Sequence, residues 1–256
     1  MLKLGFMGWS AISQRVLKLV GKLTAAVLAY WVLRTTGFYD FMAHEAEGLN
    51  TVILLVGSIY SVMFAFVIFV IWSQFTDVEN FVMRECNSLN DLLRFSEHLN
   101  PDADHKIRRG VADYSRSVLK SEWRALGGRR RDKPTEKCFS ELMDAVIRTL
   151  PAGPAEDAIH QRLIDIARQA GEHRDERVTK SLTRIPPTLV RLVDTMAGAL
   201  VLLVFVYPFH HWLVGVSCFV LLSVVLFLAY LVMEDTDNPF EGVCNVSPQP
   251  FSDLML

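Results

Sequence analysis

The sequence predicts an all-α protein with four transmembrane helices and a long helical extension in water. Of its 256 residues, 51% are hydrophobic and 21% are charged, and the mean hydropathy is +0.27. These values fit a membrane protein with a substantial aqueous part. The polar region between the second and third apolar stretches has no strand-like alternation and no glycine-rich phosphate loop, which favours helices there too.

The first predicted transmembrane helix covers Val16–Thr35. Four basic residues precede or enter it: Lys3, Arg15, Lys18 and Lys22. The apolar run after Lys22 is short enough for the hydrophobic region of a secretory signal, which is one interpretation of the N-terminal segment. No clear cleavage site follows, however, and including Val16–Val20, with Lys22 extending to the interface, gives a segment of span length. We expect Thr36–Asn50 to be a loop.

The second apolar stretch, Thr51–Trp72, has no charged residue and spans about 33 Å as a helix, enough to cross a bilayer core. The following residues contain no Pro or Gly as far as Leu99, and apolar residues recur at helical spacing. We predict one helix from Asn50 to Leu99, about 70 Å long, which leaves the membrane and stops before Pro101. Repeated around an axis, such a helix would line a pore and a vestibule. Its apolar residues beyond the membrane are Val82, Cys86, Leu89, Leu92, Leu93 and Leu99.

Three further apolar stripes predict three more helices in the aqueous region. The stripes are Ile107, Val111, Tyr114 and Val118, with that helix ending near Leu126; Phe139, Leu142, Val146 and Leu150; and Ile159, Leu163, Ile166 and Ala170. The turn from Pro151 to Pro154 separates the last two helices, and Pro154 suits a helix start.

The third and fourth transmembrane helices are predicted at Thr188–Tyr207 and Trp212–Met233. Lys and Arg are abundant before the first span and between the second and third, and absent from the two short opposite loops and the tail. The positive-inside rule therefore places both termini and the helical region in the cytoplasm. We expect four parts: an amphipathic start with two spans (1–72), a cytoplasmic helical domain (73–185), two spans (186–233) and a cytoplasmic tail (234–256).

The composition argues against several classes of function. A net charge of −2 gives no case for nucleic acid, and the run Arg129–Arg131 reads as a solvated loop. The four cysteines, Cys86, Cys138, Cys218 and Cys244, show no CxxC spacing, so we expect reduced thiols and no zinc site. The adjacent His210 and His211 have no partner acid nearby in the sequence. We therefore predict no enzyme activity and no cofactor.

The candidate functional residues lie on the central helix. Leu54, Ser58, Val62 and Phe66 recur every four residues on one face. In a bundle with a central axis they would form an apolar constriction, whereas in a closed bundle they would pack on other spans. Near the start of the third span, Arg191 precedes Asp194 by three residues; the two either form an ion pair, or Arg191 supplies positive potential at an anion entrance.

Three segments resemble the bestrophin family of anion channels, particularly its bacterial members. Gly8–Val16 is similar to the start of the family's first membrane helix. Ser58–Leu92 resembles the pore helix, with a small residue and Phe followed by an aromatic, polar and acidic cluster. Glu234–Gly242, containing Asn-Pro-Phe, together with Phe251–Leu254, resembles the element after the last span.

The resemblance implies a homopentameric, chloride-permeable channel whose neck is made by the second span. Phe66 matches the family's neck Phe, and Val62 and Ser58 match residues one and two turns before it. An alternative alignment with the family, displaced by four residues, adds Leu54, which lies on the same face of the helix. Ser58 is polar where the family has a bulky apolar residue, which implies a wetter or wider neck, and Val67 replaces a basic residue that often follows the Phe.

Animal bestrophins bind calcium through an acidic run after Asn-Pro-Phe, which this sequence lacks. The oxygen-bearing residues left at that place are Asp235, Asp237 and Asn238, and we expect no calcium gating.

Two functions therefore remain at this stage. We expect an inner-membrane oligomer that passes small monovalent anions. The alternative is a non-conducting membrane protein whose helical domain docks a partner or senses the state of the membrane.

Overall fold

A computed structural model describes residues 6–151, 153–241 and 245–255, with side chains from Ser13 onward; Gly8–Ile12 of the segment Gly8–Val16 lie outside the described side chains. Most of the described residues are helical, and none of them lies in a β-strand. The ten α-helices among them are α1 (Phe6–Thr35), α2 (Phe38–Met42), α3 (Ala46–Ser96), α4 (Pro101–Ser117), α5 (Trp123–Gly127), α6 (Lys133–Ile147), α7 (Pro154–Leu182), α8 (Pro187–Val206), α9 (Trp212–Thr236) and α10 (Gln249–Asp253).

The chain divides into two compact units. The membrane unit comprises the chain as far as Ile71 together with Ile185–Glu234, and the helical unit comprises Trp72–Arg184 together with Asp235–Leu256. In the described residues, four helical stretches are long and apolar enough to cross a membrane, within Ser13–Thr35, Phe38–Ser96, Pro154–Val206 and Trp212–Thr236. The predicted all-α class with four spans is confirmed.

Helix α3 is unbroken over 51 residues, about 77 Å, which confirms the long central helix. The prediction of a loop at Thr36–Asn50 is wrong. This segment folds as α2, a 3₁₀ turn at Ala43–Glu45 and the first turns of α3. Gly37 adopts a left-handed conformation, φ 76°, which permits the tight reversal from α1 into α2. The connection between α1 and α3 is therefore helical and contains no extended segment.

The core of the membrane unit is formed by one face of α3 packed against residues of α8 and α9. Its buried members are Tyr60, Val67, Ile71, Ile185, Val193, Leu200 and Met233. On α3 these positions recur at helical spacing, so the opposite side of the helix is left outside this core.

Helices α1 and α9 approach closely at Tyr30 and Gly215. Tyr30 is buried, and its hydroxyl lies against the Cα of Gly215, where a Cβ would overlap it and would also lie 3.1 Å from the ring of Phe209. Beside this contact, the Tyr39 hydroxyl donates to the carbonyl of Phe205 at 2.8 Å. Only glycine leaves room for this packing.

We expect Gly215→Ala to destabilise the protein by about 1–3 kcal/mol, because the added methyl group overpacks the site and displaces Tyr30. The check is the melting temperature of the protein purified in detergent. Gly198→Ala is the matched control, since a Cβ at Gly198 meets nothing within 4 Å. Equal melting temperatures for the two variants would contradict the close approach.

The helical unit is built from α3, α4, α5, α6, α7 and α10 around a second core. α4, a π-helical turn at Val118–Glu122 and α5 follow one another without interruption. The predicted stripes are its main contributors: Val82, Cys86, Leu89, Leu92, Ile107, Val111, Tyr114, Val118, Leu142, Val146, Leu163, Ile166 and Ala170 are all buried.

Two side chains fix helix starts in this unit. The Asn100 side chain accepts from the backbone N–H of Ala103 at 2.9 Å and caps α4. Asp132 caps α6 by accepting from the backbone N–H and hydroxyl of Thr135 and from the hydroxyl of Ser121. Burial alone would raise the pKa of Asp132, but these hydrogen bonds outweigh it and lower the pKa below the ordinary value.

Helix α6 ends at Ile147, three residues before the end of its predicted stripe. Leu150 is 84% exposed and lies outside the helix, so its assignment to the buried stripe is wrong. The physical reason is Pro151, whose ring disfavours helical conformation in the residue before it.

Candidate functional site

The predicted stripe on α3 lies on the side of the helix that faces away from the membrane unit's core. Leu54, Val62 and Phe66 are 63%, 70% and 53% exposed, and Ser58 is exposed too. In the described residues, this stripe is therefore not covered by other spans of the same chain. Such an apolar face of a membrane helix is open to contact with lipid, with another copy of the chain or with an axial space.

The hydroxyl group of Ser58 already donates a hydrogen bond within its own helix. It donates to the carbonyl of Leu54 at 2.8 Å, the usual i to i−4 bond of a helical serine. The stripe therefore presents a small side chain at this position between larger apolar ones.

Arg191 and Asp194 are both exposed on α8, and they form no ion pair with each other or with another described residue. The ion pair considered from their spacing is thus not formed in the part of the chain that the structure describes. The guanidinium of Arg191 therefore makes no direct contact with a carboxylate among the described residues, and Asp194 lies one turn further along the helix.

The residues around Asn-Pro-Phe are held by the arginine Arg184. Its guanidinium donates to the backbone carbonyl of Asp237 at 2.6 Å and to the side-chain oxygen of Asn238 at 2.7 Å. The amide of Asn238 in turn donates to the carbonyl of Gly127 at 3.2 Å. Burial lowers the pKa of Arg184. The side-chain oxygen of Asn238 is therefore already occupied by a cationic group.

Gly242 and Cys244, which belong to the predicted tail element and the cysteine set, lie outside the described residues. The other three cysteines, Cys86, Cys138 and Cys218, are free thiols. Among the residues that the structure does describe, no group of three or more His, Cys, Asp or Glu is placed to hold a metal ion.

The helical unit contains a buried network of charged groups that the sequence analysis missed. Arg177 is fully buried; its Nε donates to Glu85 at 2.7 Å and its Nη2 donates to Glu122 at 2.8 Å. Arg174 donates to the other oxygen of Glu122 at 2.7 Å, and the Tyr114 hydroxyl donates to Glu85. Two carboxylates thus face two guanidinium groups, and the formal charges cancel.

Aromatic rings and the π-helical turn complete this network. The guanidinium carbon of Arg177 lies 5.4 Å from the ring centre of Phe251 in α10, and that of Arg174 lies 5.5 Å from the ring of Phe139 in α6. Glu122 ends the π-helical turn. The network therefore ties α3, α4, α6, α7 and α10 to one another through charge-assisted contacts.

Electrostatics keep Arg177 and Tyr114 in their bonding forms. Burial alone would lower the pKa of Arg177, but the carboxylates of Glu85 and Glu122 outweigh it and raise the pKa well above the ordinary value. Burial, reinforced by Glu85, raises the pKa of Tyr114, so that its hydroxyl stays a donor. This arrangement has the character of a structural element, since Glu85, Glu122 and Arg177 are buried and bonded to one another.

The fold and these surfaces together define the class of the protein. It is an all-helical membrane protein with four apolar spans, each of which exposes apolar side chains, and with a helical unit stabilised by an internal charge network.

The family model for the Bestrophin-like domain matches residues 21–251, and the chain therefore belongs to the Bestrophin-like family. Membership of this family supports a channel-type membrane protein.

Solved structures of bacterial proteins share the fold. A bacterial bestrophin homologue from Klebsiella pneumoniae superposes with a TM-score of 0.69 at 13% identity, covering 92% of this chain and 95% of that one. A point variant of that homologue gives a TM-score of 0.70 at 13% identity, with coverage of 93% and 96%. Another point variant gives a TM-score of 0.70 at 13% identity, covering 94% of this chain and 97% of that one. No curated protein sequence matches the chain.

Proposed function

We propose that this protein is the subunit of a homopentameric channel in the bacterial inner membrane that passes small monovalent anions. The neck of the pore is formed by Leu54, Ser58, Val62 and Phe66 of each copy. The observation that carries the proposal is the exposure of this stripe in a chain whose spans bury the opposite side of α3. A pore-lining face must be left free by the chain's own helices, and this face is.

The chemistry of the stripe suits weakly hydrated ions. An apolar neck offers no strong binding site, so an ion passes only if it sheds water at low cost, and a narrow neck of this kind closes by dewetting. The single small residue, Ser58, has its hydroxyl proton bonded within the helix, so it widens the neck without supplying a free donor. Monovalent anions, which are less strongly hydrated than divalent ones, satisfy these conditions best.

Positive charge at the cytoplasmic side sets the sign of the permeant ion in this proposal. Both termini and the helical unit lie in the cytoplasm, as the distribution of Lys and Arg predicts. Arg191, which is exposed and unpaired among the described residues, adds positive potential near the entrance and raises the local anion concentration.

The experiment that tests the proposal is ion flux into liposomes that contain the purified oligomer. We expect chloride flux, with potassium flux no greater than that of empty liposomes. No flux of either ion from a folded oligomer would overturn the channel, and would favour the non-conducting protein with a partner-docking helical domain.

Shortening the largest neck side chain is expected to change this flux. In Phe66→Ala the neck loses its bulkiest ring, the constriction wets more easily, and chloride flux rises. Stopped-flow measurement of chloride entry into matched liposomes is the check. An unchanged rate in Phe66→Ala would contradict the assignment of Phe66 to the neck.

A further inference from the structure

A cavity of about 510 Å³ lies in the helical unit, between α3, α4 and the C-terminal segment that includes α10. Its volume falls within the range of about 300–1,000 Å³ that is typical of small-molecule sites. The described residues that line it belong neither to the neck stripe nor to the buried charge network. Neither the proposed pore nor the core of the unit therefore accounts for this cavity.

The wall that the C-terminal segment contributes is held in place by Phe251. This side chain is fully buried, and its ring packs edge-to-face on the rings of Tyr114 and Trp123, with centroids 6.4 and 6.1 Å away. Asp253 and Leu254 follow Phe251 within three residues and line the cavity. The cavity is therefore a formed part of the fold, as ligand sites usually are.

One part of the cavity is apolar. Met83 and Leu93 of α3 lie there, together with Leu254 and Met255 of the C-terminal segment. The two methionines are 46% and 40% exposed, so their side chains are not used up in packing the core. Methionine adapts to varied apolar shapes, because it is unbranched and its sulfur is polarizable. This part of the cavity suits the apolar body of a small organic molecule.

The polar part of the cavity carries an unpaired carboxylate. Asp253 is exposed and forms no ion pair with another described residue. The guanidinium of Arg108, which also lines the cavity, is already neutralised: its Nε donates to Asp104 at 2.9 Å and its Nη2 donates to Glu97 at 2.7 Å. Two acids thus oppose one guanidinium there, and Asp253 adds a further negative charge. The electrostatic potential in the cavity therefore favours a cation.

Two amide side chains complete the polar part. Asn87 and Asn90 are exposed, line the cavity and lie three residues apart, on the same side of α3. Each amide oxygen can accept a hydrogen bond from a ligand. Amide oxygens and a carboxylate together are well suited to hold an ammonium group, which has three N–H donors and no acceptor.

We propose that this cavity binds a small organic cation, namely a protonated amine with an apolar body. The ammonium group donates to Asp253 and to the amide oxygens of Asn87 and Asn90. The apolar body lies against Met83 and Met255. The inference goes beyond the proposed channel, because binding of such a cation requires neither conduction nor a particular permeant ion.

The test is the binding of phenethylamine to the purified full-length protein in nanodiscs, measured by isothermal titration calorimetry at neutral pH. Phenethylamine joins a protonated amine to an aromatic ring, and hydrocinnamate is an anion of similar size and shape. We expect saturable binding of phenethylamine and binding of hydrocinnamate that is at least about tenfold weaker, because Asp253 repels its carboxylate. Absence of phenethylamine binding, or binding of hydrocinnamate that is as tight, would overturn the proposal.

Two substitutions of opposite effect assign the binding to this cavity. Asp253→Asn removes the proposed counter-charge, so we expect the affinity for phenethylamine to fall about tenfold. Asn90→Asp adds a carboxylate to the same cavity, and we expect the affinity to rise at least about threefold. Asp175→Asn is the matched control: Asp175 is an exposed acid of α7 that does not line the cavity, and its variant should bind phenethylamine as wild type does.

Elution like the wild-type protein shows that a variant is folded. Unchanged affinity in folded Asp253→Asn would overturn the proposal, because the binding would then lie elsewhere on the protein. If Asp253→Asn does not elute like wild type, unchanged affinity in Asn90→Asp has the same meaning. All of these outcomes are read from binding and none from ion flux, so failure of the site and failure of the channel are distinguishable.

Discussion

Replacing Arg177 with methionine is expected to unfold the helical unit or to lower its stability by about 3–5 kcal/mol, the usual cost of removing one partner from a buried ion pair. The side chain is fully buried and bonds to both Glu85 and Glu122. Without it, two carboxylates face Arg174 alone, and one negative charge is left in the core without compensation. Helices α3, α4 and α7 would separate to admit water.

Thermal unfolding of the detergent-purified protein, followed by near-ultraviolet circular dichroism, measures this effect. Arg177→Lys keeps the charge but loses the planar, two-sided contact, and we expect a smaller loss of stability. Arg168→Ala removes an arginine whose pair with Glu172 is exposed, and its effect should stay below about 1 kcal/mol.

A double substitution distinguishes the lost charge from lost packing. If the uncompensated carboxylate causes the instability, Glu85→Gln combined with Arg177→Met recovers part of the loss, because the remaining Glu122 and Arg174 balance each other. A double variant that is less stable than Arg177→Met would contradict this account.

Chloride flux through Ser58→Trp is expected to fall to the level of empty liposomes. Ser58 is the small residue of the apolar stripe, and an indole at this place in every copy fills the space that the serine leaves. The added apolar rings also oppose wetting of the neck, so steric and hydration effects act in the same direction.

Ser217→Trp is the matched control for Ser58→Trp. Ser217 is an exposed serine of α9 whose hydroxyl donates to the carbonyl of Leu213 at 2.7 Å, four residues earlier, so the two serines share their local structure. We expect its flux to equal that of wild type. A block in Ser217→Trp of similar size, or normal flux in Ser58→Trp, would remove the neck from this stripe.

Hydrophobic periodicity was sufficient to predict the long helices, because it extends over many turns there, but it did not reveal the short helices α2 and α10. The stripe containing Leu142 and Val146, for example, is buried where it was expected. The end of α6 was placed three residues late because the same pattern continued to Leu150, where the conformational effect of Pro151 prevails.

The charged members of the buried network were missed because the helices were predicted from the spacing of apolar residues alone. Two of their positions nevertheless carried a signal. Glu122 lies four residues after Val118 and four before Leu126, and Glu85 lies three residues after Val82 and four before Leu89, so both acids occupy buried stripes. A charged residue at a core position requires a partner of opposite charge. The identity of that partner depends on which helices pack together, and spacing within one helix does not contain this information.

The π-helical turn at Val118–Glu122 accommodates one more residue in its turn than an α-helix does. Deleting a single amino acid there would leave a good α-helix and a normal hydropathy profile. Residues beyond the deletion, Leu126 among them, would keep the face they have now, because the π-helical turn already takes up the extra residue. Loss of one codon in this segment should therefore be less damaging than loss of one within the regular turns of α4, where every later residue would turn by about 100°.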